Sequence, residues 1–289
     1  MPISIMKSPC LLIFGHGYTA STLVDHLGTK DWEIFGTTRN VDTADLLKEN
    51  NITPLMWSDD TSIKAVIKRS NYILHSIAPT EVGDPVYEKF AEDIIARSIN
   101  LSWFGYLSTT SVYGNHDGQW VDEKTPVNPS SNRGLLRVNT ENTWARINNL
   151  PLHIFRLAGI YGAGRSPLDK IRSGKAQLIS KPGQFFSRIH VEDIAQVLKA
   201  SIEMPNRGSI YNVCDDMPAA PDEVLAYAAK LLNYPEPPRI DFEEAELSPM
   251  AKSFYSDNKR VNNHLIKNEF SLALKFPNFK AGLDALVGR

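Results

Sequence analysis

Short apolar segments alternate with helical segments through the first half of this 289-residue chain. The apolar segments are continuously hydrophobic, which is typical of strands covered on both faces. This alternation predicts a doubly wound parallel sheet with helices on both sides, the Rossmann architecture of the α/β class. The predicted strands are Cys10–Phe14, Trp32–Thr37, Ile52–Met56, Tyr72–Ile77, Trp103–Ser108 and His153–Leu157, and the predicted helices are Tyr18–Leu27, Thr43–Glu49, Ser62–Lys68, Pro85–Ser98 and Leu135–Asn148.

The alternation becomes irregular after Tyr161. A helix over Val191–Glu203, a strand over Ser209–Val213 and a helix over Pro221–Leu232 are still predicted, but the tail has no clear period. We therefore expect a nucleotide-binding domain of residues 1–165, to which residues 186–215 return. Residues 166–185 and 216–289 are expected to form a smaller C-terminal lobe that binds the substrate.

A glycine-rich turn, Gly15-His16-Gly17-Tyr18-Thr19-Ala20, joins the first predicted strand to the first predicted helix. Gly15 allows a tight turn, and Gly17 lets the backbone approach a pyrophosphate. Ala20 stands where a third glycine often lies and keeps the helix close to the strand. The helix N-terminus supplies unpaired N–H groups for phosphates. At this place in the alternating pattern, the turn predicts a site for a dinucleotide.

The end of the second strand distinguishes NADP from NAD. A carboxylate about 20 residues past the glycines would hold the ribose 2′-hydroxyl of NAD. The chain has Thr38-Arg39-Asn40 there, with no Asp or Glu. Arg39 can pair with a 2′-phosphate and Thr38 can hydrogen-bond to it. We therefore expect NADP rather than NAD, although Arg39 as a solvated surface charge is the alternative.

Composition excludes several other classes of protein. Lys and Arg number 31 against 33 Asp and Glu, so the net charge of −2 gives no indication of a nucleic-acid partner. No apolar run reaches the roughly 20 residues that cross a bilayer. Cys10 and Cys214 have no Cys or His at zinc-site spacing, so no metal is expected. The apolar run after Lys7 is too short for a signal peptide, and a cytoplasmic location is the default expectation.

Further along the chain, several ordered motifs resemble those of the epimerase/dehydratase family of extended short-chain dehydrogenase/reductases. Besides the glycine turn, they are Leu107-Ser108-Thr109-Thr110-Ser111-Val112-Tyr113-Gly114, Arg156-Leu157-Ala158-Gly159-Ile160-Tyr161-Gly162, Arg188-Ile189-His190-Val191-Glu192-Asp193 and Ile210-Tyr211-Asn212-Val213. The resemblance implies cofactor contacts at Gly15, Gly17, Tyr18, Thr19, Ala20, Thr38, Arg39, Ala78, Ser108, Arg137, Ala158 and Gly159. It also implies a small polar substrate, for example a nucleotide sugar. The protein is expected to be a monomer or a homodimer.

The resemblance also implies a catalytic hydroxyl at Thr109, which would hydrogen-bond to the reacting oxygen of the substrate. The dehydratase branch of the family carries Asp-Glu directly after that residue. This chain has Thr110 and Ser111 instead, which cannot serve as the acid/base pair that eliminates water. Sugar dehydration is therefore not expected.

The family's Tyr-x-x-x-Lys motif is missing from the next predicted helix. Aligning the helix with the family places Arg133 at the tyrosine position and Arg137 at the lysine position. An arginine has a pKa above about 12 and cannot act as a base near neutrality. Arg137 can still hydrogen-bond to the nicotinamide ribose. The sequence therefore resembles the atypical branch, whose members keep the cofactor fold and lose part of the catalytic tetrad.

Four more residues are candidates for substrate binding: Thr110, His116, Arg165 and Arg188. His116 lies in a loop after the fifth strand and has an unperturbed pKa near 6.5, which suits proton transfer. A solvated loop histidine is the alternative. Arg165 and Arg188 are expected to bind a substrate phosphate or carboxylate, or else to form salt bridges.

Two functions remain open from the sequence. The first is an NADP-dependent oxidoreductase or epimerase-like enzyme that transfers hydride at an oxygen-bearing carbon. The second is an NADP-binding sensor or scaffold without turnover. Thr109 favours the enzyme, whereas the arginines at 133 and 137 favour the binding module.

Overall fold

The structure is a computed structural model, and it describes residues 8–287. Its strands are β1 (Cys10–Phe14), β2 (Glu33–Thr38), β3 (Thr53–Met56), β4 (Tyr72–His75), β5 (Trp103–Thr109), β6 (Trp120–Val121), β7 (Leu152–Leu157), β8 (Gly159–Tyr161), β9 (Leu178–Ser180), β10 (Arg188–His190), β11 (Ile210–Val213), β12 (Arg239–Asp241) and β13 (Arg260–Val261). Its α-helices are α1 (Tyr18–Leu27), α2 (Val41–Glu49), α3 (Asp60–Ile67), α4 (Pro85–Arg97), α5 (Asn132–Ala145), α6 (Pro167–Arg172), α7 (Val191–Glu203), α8 (Pro221–Leu231), α9 (Pro249–Ser256), α10 (His264–Glu269) and α11 (Phe279–Asp284).

Seven strands form one sheet in the order β11-β7-β5-β4-β1-β2-β3. The pairings of β1 with β2 and β4, of β2 with β3 and of β4 with β5 are all parallel. In the middle of the sheet, Leu12 lies opposite Phe35 on one side and Ile73 on the other. The predicted Rossmann architecture is confirmed, because strands buried on both faces need helices above and below the sheet.

The chain divides into two compact units. The first consists of the chain up to Leu107 together with Asn139–Phe155 and Leu198–Ile210. The second consists of Ser108–Val138, Arg156–Val197 and the chain from Tyr211 onward. The domain boundaries at residues 165 and 185 stay a prediction.

The core of the first unit is built from β-strand side chains and the helices that cover them. Phe14 stacks on Phe90 with ring centroids 5.7 Å apart, and both side chains are fully buried. In the second unit, Phe279 and Leu283 of α11 pack with Val224 and Ala228 of α8. Burial of such apolar surface is the main favourable term in folding.

Helix starts differ from the prediction where a polar side chain caps the helix. α2 begins at Val41, because the Asn40 side chain accepts the N–H groups of Asp42 and Thr43. α3 begins at Asp60, because the Asp59 side chain accepts the N–H of Ser62. Such caps satisfy backbone donors that the first helical turn leaves open. Across residues 8–287, no helix is long and apolar enough to cross a membrane.

A buried polar network fixes the start of α4 in the first unit. Asp84 caps the helix by accepting the N–H of Val86 at 3.0 Å. The same carboxylate contacts Nε2 of His75 at 2.8 Å and accepts the indole N–H of Trp144 at 2.6 Å. Burial raises the pKa of Asp84, but His75 and the hydrogen bonds outweigh it and leave the pKa below its ordinary value. His75 is therefore held in a structural network.

We expect Asp84→Ala to destabilise the protein by about 3–5 kcal/mol, because it leaves three buried groups, of His75, Val86 and Trp144, without the carboxylate that they contact. Urea unfolding at pH 7 measures this loss. The matched control is Asn40→Ala, which removes an exposed cap and should cost only about 1 kcal/mol. Equal losses in the two variants would show that the buried network adds nothing beyond the cap.

Candidate functional site

The turn after β1 requires glycine at position 15. Gly15 has a φ of +82°, and its N–H donates to Oγ1 of Thr37 at 2.8 Å. A Cβ atom at Gly15 would lie 2.8 Å from Cγ1 of Ile77. Both the left-handed backbone and the close approach exclude a side chain there. This turn ends β1 beside β2 and directs the chain into α1.

Gly17 precedes α1 and leaves open space at the N-terminus of that helix. No atom outside its chain neighbours lies within 4 Å of a Cβ built on Gly17. No side chain caps α1, and its first turn contains no acidic residue. Behind the turn, Thr19 and Ala20 are buried, Ala20 completely, so the helix packs closely. Unpaired N–H groups at the positive end of a helix dipole fit the pyrophosphate of a dinucleotide.

The end of β2 presents one exposed guanidinium. Oγ1 of Thr38 accepts the N–H of Asn40 at 3.1 Å, which closes the loop into α2. Arg39 is exposed, and within residues 8–287 no carboxylate forms an ion pair with it. Its side chain is therefore available to an anion. Ala78, the predicted cofactor contact after β4, is also exposed in this unit.

His16 is a feature of this turn that the sequence did not single out. Its ring lies on Gly36 of β2, where a Cβ would be 3.0 Å from Cβ of His16. Burial lowers the pKa of His16 to about 4, so the imidazole is neutral near pH 7. The signal was Gly36, because a glycine inside a strand often marks the close approach of another group.

In the second unit, two hydroxyl groups lie together at the end of β5. Oγ1 of Thr109 is 3.0 Å from Oγ of Ser111 and accepts the N–H of Ser111 at 3.2 Å. When Ser111 donates its hydroxyl hydrogen to Thr109, the hydroxyl hydrogen of Thr109 is left to donate to another oxygen. Thr110, between them, is half-buried, whereas Ser108 is buried.

The charges of two arginines of the second unit affect the pKa of a third, Arg133. Arg133 and Arg137 lie one turn apart on α5, and Arg165 follows in the turn after β8. Burial lowers the pKa of Arg133, and the charges of Arg137 and Arg165 lower it further. Arg133 and Arg165 are exposed, whereas Arg137 is buried. Arg133, Arg137 and Arg165, called the arginine cluster below, are thus related through the charges that act on Arg133.

The start of α5 packs directly on the turn that carries Thr109. A Cβ at Gly134 would lie 2.8 Å from the carbonyl oxygen of Ser111 and 2.8 Å from Cβ of Pro129. The missing side chain thus lets the helix backbone contact the short 3₁₀ turn over Thr110–Tyr113. Arg133, the residue before Gly134, is placed at that contact.

Tyr113 belongs to a buried network and not to an open site. Its hydroxyl donates to Oδ1 of Asn212 at 2.7 Å and accepts from Nη1 of Arg156 at 3.0 Å. The N–H of Asn212 in turn donates to Oε1 of Glu123 at 2.8 Å. Burial raises the pKa of the Tyr113 phenol, so less of the reactive phenolate is present near neutrality. The network joins distant parts of the sequence, and nothing in the motif predicted its partners.

Arg188 and His116 both contact backbone carbonyl groups. Nη1 of Arg188 donates to the carbonyl oxygens of Phe186 and Ala219 at 2.9 and 3.0 Å. Nε2 of His116 lies 3.1 Å from the carbonyl oxygen of Tyr113. Both side chains are half-buried. Their roles in substrate binding stay a prediction. The cofactor contacts expected at Ala158, which is buried, and at Gly159, which is exposed, also stay a prediction.

A buried carboxylate lies beside Arg188, because the N–H of Asp215 donates to the carbonyl oxygen of Arg188 at 2.6 Å. Asp215 is 1% exposed, and its Oδ1 accepts the N–H of Met217 at 3.1 Å. Burial raises its pKa to about 7, although the charge of Arg188 opposes that rise. No group of three or more potential metal ligands occurs within the described residues.

Comparison with known proteins decides the family. The model of the NAD dependent epimerase/dehydratase family matches residues 11–214, which include the glycine turn, Thr109 and the arginine cluster. The chain belongs to this family. The family resemblance expected from the sequence is thereby confirmed.

A protein from Silicibacter pomeroyi described as functionally unknown is 51% identical, with a TM-score of 0.93 over 97% of this chain and 98% of its own. Protein YeeZ of Escherichia coli K12 is 28% identical over 243 residues, or 79% of this chain and 85% of YeeZ. The dTDP-glucose 4,6-dehydratase of Bacillus anthracis, solved in complex with NAD, is 18% identical with a TM-score of 0.78 over 97% and 96% of the two chains. At that identity the last likeness shows the fold alone.

We expect the wild type to lose stability relative to Asp215→Asn as the pH rises from about 4 to about 7. The unfolded chain releases this proton near pH 3.9 and the folded chain only near pH 7. Between those values the folded state binds more protons, so the free energy of unfolding falls with pH, by roughly 2–4 kcal/mol.

Urea unfolding of both proteins at pH 4.5 and pH 7.5 measures the difference. The control is Asp45→Asn, which changes an exposed carboxylate of the first unit that pairs with Lys48 at 2.9 Å. This variant should keep the pH dependence of the wild type. Parallel curves for the wild type and Asp215→Asn would contradict the assigned titration.

Proposed function

We propose that this chain is an NADP-dependent enzyme of the epimerase/dehydratase family that transfers hydride at an oxygen-bearing carbon of a small polar substrate. The observation that carries the proposal is the turn at Gly15 and Gly17. It leaves backbone N–H groups and open space at an uncapped helix N-terminus. This arrangement fits a dinucleotide pyrophosphate better than it fits a purely structural turn.

Arg39 supports NADP over NAD. The end of β2 carries no carboxylate that would accept a hydrogen bond from a ribose 2′-hydroxyl. An exposed guanidinium can instead form charge-assisted hydrogen bonds to a 2′-phosphate. Thr38 adds a hydroxyl at the same strand end, although the Asn40 backbone already shares it.

When bound, NADPH supplies a hydride to a carbonyl carbon. In the proposed reaction, the hydroxyl group of Thr109 donates a hydrogen bond to the reacting oxygen, while Ser111 holds the threonine side chain in place. Arg137 is assigned the ribose contact that the family gives to lysine. Arg133 cannot accept a proton near neutrality, so it binds or orients and does not act as a base. The proposed substrates include UDP-sugars, because MoeE5, a protein of the same fold, binds UDP-glucose.

An NADP-binding sensor or scaffold without turnover is the second candidate function. The observation in its favour is the pair of arginines where the family carries its base. A missing general base typically forfeits a factor of about 10²–10⁴ in rate. Such a protein would use the same turn and the same Arg39, so nucleotide binding alone does not separate the two functions.

A second copy of the chain is the proposed partner besides the substrate. A groove of about 370 Å³ in the first unit is lined by α4 side chains such as Tyr87 and Ile95, and by Ile147. Family members often dimerise through the corresponding helices, so a homodimer is proposed beside the monomer. A cytoplasmic location is also a proposal.

We expect Arg39→Ala to weaken NADPH binding by roughly 1.5–3 kcal/mol, or about 10- to 150-fold, because it removes a charge-assisted contact to the 2′-phosphate. Binding of NADH should not change, since NADH lacks that phosphate. Calorimetric titration with both nucleotides measures the effect.

The control is Gly17→Val, which fills the open space in front of α1. Its backbone φ of −128° suits any residue, so the fold should be kept, while both nucleotides should lose affinity. Equal losses of NADPH and NADH affinity in Arg39→Ala would refute the choice of NADP.

For turnover, we expect the wild type to oxidise NADPH with at least one compound from a panel of small carbonyl compounds and sugar nucleotides. The readout is the loss of NADPH absorbance. The comparison protein is the double variant Arg133→Tyr and Arg137→Lys, which restores the family's residues at both positions.

Turnover by the wild type supports the enzyme and shows that a group other than a tyrosine at position 133 handles the proton. Turnover by the double variant alone shows that the natural chain lacks a working base. NADPH binding without turnover by either protein favours the sensor or scaffold.

A further inference from the structure

Thr37 joins β2 to the turn after β1 through both its side chain and its backbone. Its Oγ1 accepts the N–H of Gly15 at 2.8 Å, and its carbonyl oxygen accepts the N–H of His16 at 3.2 Å. Thr37 is 2% exposed, so its side chain is shielded from water. Two successive N–H groups of the turn are therefore already used within the protein.

The same turn is held from a second side by Ile77, which follows β4. A Cβ built on Gly15 would lie 2.8 Å from Cγ1 of Ile77 and 3.3 Å from its backbone nitrogen. The turn thus lies against β4 with no room for a side chain, while its hydrogen bonds to Thr37 fix its distance from β2. The position of the turn between the two strands therefore depends on Thr37.

The N–H groups at the start of α1 are in a different situation. The first backbone hydrogen bond that closes α1 runs from the N–H of Ser21 to the carbonyl oxygen of Gly17 at 2.9 Å. Within residues 8–287, the N–H groups of Gly17 and Thr19 donate to no protein atom, and no side chain caps the helix. Open N–H groups at the positive end of a helix dipole suit a diphosphate.

We propose that Thr37 is a positioning residue for the bound dinucleotide. By engaging the first two N–H groups of the turn, it directs those of Gly17 and Thr19 toward the pyrophosphate. This inference deepens the proposed function and rests on it for the identity of the ligand. Thr37 acts through the turn, because it is buried and its oxygens already accept protein N–H groups. Arg39, two residues later, has the separate task of binding the 2′-phosphate.

Thr37→Val keeps the shape of the side chain and removes the acceptor of the Gly15 N–H. It should weaken binding of NADPH and NADH by the same factor, about 5- to 50-fold, the scale of leaving a buried donor unpaired. Thr37→Ser keeps the hydroxyl group and should restore the affinity for both nucleotides. The matched control is Thr53→Val, the same substitution at an exposed position of β3, which should bind as the wild type does. Calorimetric titration measures all four proteins.

A ligand without the pyrophosphate separates positioning from a general loss of structure. Adenosine 2′-monophosphate carries the 2′-phosphate and lacks the 5′-diphosphate. Its competition with NADPH, followed by NADPH fluorescence, should give the same inhibition constant in the wild type and in Thr37→Val. Arg39→Ala should show the reverse pattern, with weaker binding of this fragment and unchanged binding of NADH. A merely structural role of Thr37 would instead weaken the fragment and both dinucleotides together.

The proposal is overturned by a parallel loss of the fragment in Thr37→Val, or by failure of Thr37→Ser to restore binding. Thermal unfolding establishes that each variant is folded, and Thr37→Ala takes the place of Thr37→Val in the same titrations if the valine variant does not fold. Equal affinities of the wild type and Thr37→Val for the dinucleotides would overturn this inference alone. No binding of either dinucleotide to the wild type would overturn the proposed function as well.

Discussion

The first unit is organised around β1, an inner strand of a parallel sheet with a paired neighbour on each side. β1 pairs with β2 on one side and β4 on the other, so its carboxyl end opens between two strands whose connections diverge. Ligands of open α/β sheets bind at such a point. The backbone there has to turn sharply, pass close to Ile77 and still leave its N–H groups exposed. Gly15 and Gly17 meet these separate demands, the first by conformation and the second by the absence of a side chain.

Long elements with a clear period could be predicted from the sequence. β1, α1 and α7 have the bounds that their hydrophobic pattern indicates. Elements of two or three residues, such as β6 and β13, are too short to show any period, and they form through pairing with distant segments. Helix starts were shifted where a polar side chain outside the apolar pattern caps the helix, as Asn40 does. The local hydrophobic pattern thus predicts the strands of the seven-stranded sheet, whereas the short strands depend on the distant segments with which they pair.

The residues of the candidate site also differ in how far they could be predicted from the sequence. Gly15 and Gly17 could be found because their role depends on local backbone geometry. The network of Tyr113, Asn212 and Arg156 could not, because it depends on which residues meet after folding. Because the Tyr113 phenol is buried, has two hydrogen bonds and has a raised pKa, it has little capacity to lose its proton near neutrality.

The proposed alignment puts arginines 133 and 137 at the two positions where the family carries a titratable pair. A tyrosine and a lysine can exchange a proton near neutrality, since neighbouring charge can lower the pKa of the phenol. Two arginines keep their protons and can only attract, orient and donate hydrogen bonds. Such a site stabilises negative charge that is already on a ligand or that develops on an oxygen during reaction. Under that alignment, the proton of the reaction has to be exchanged with a group other than residue 133, because an arginine does not release its proton near neutrality.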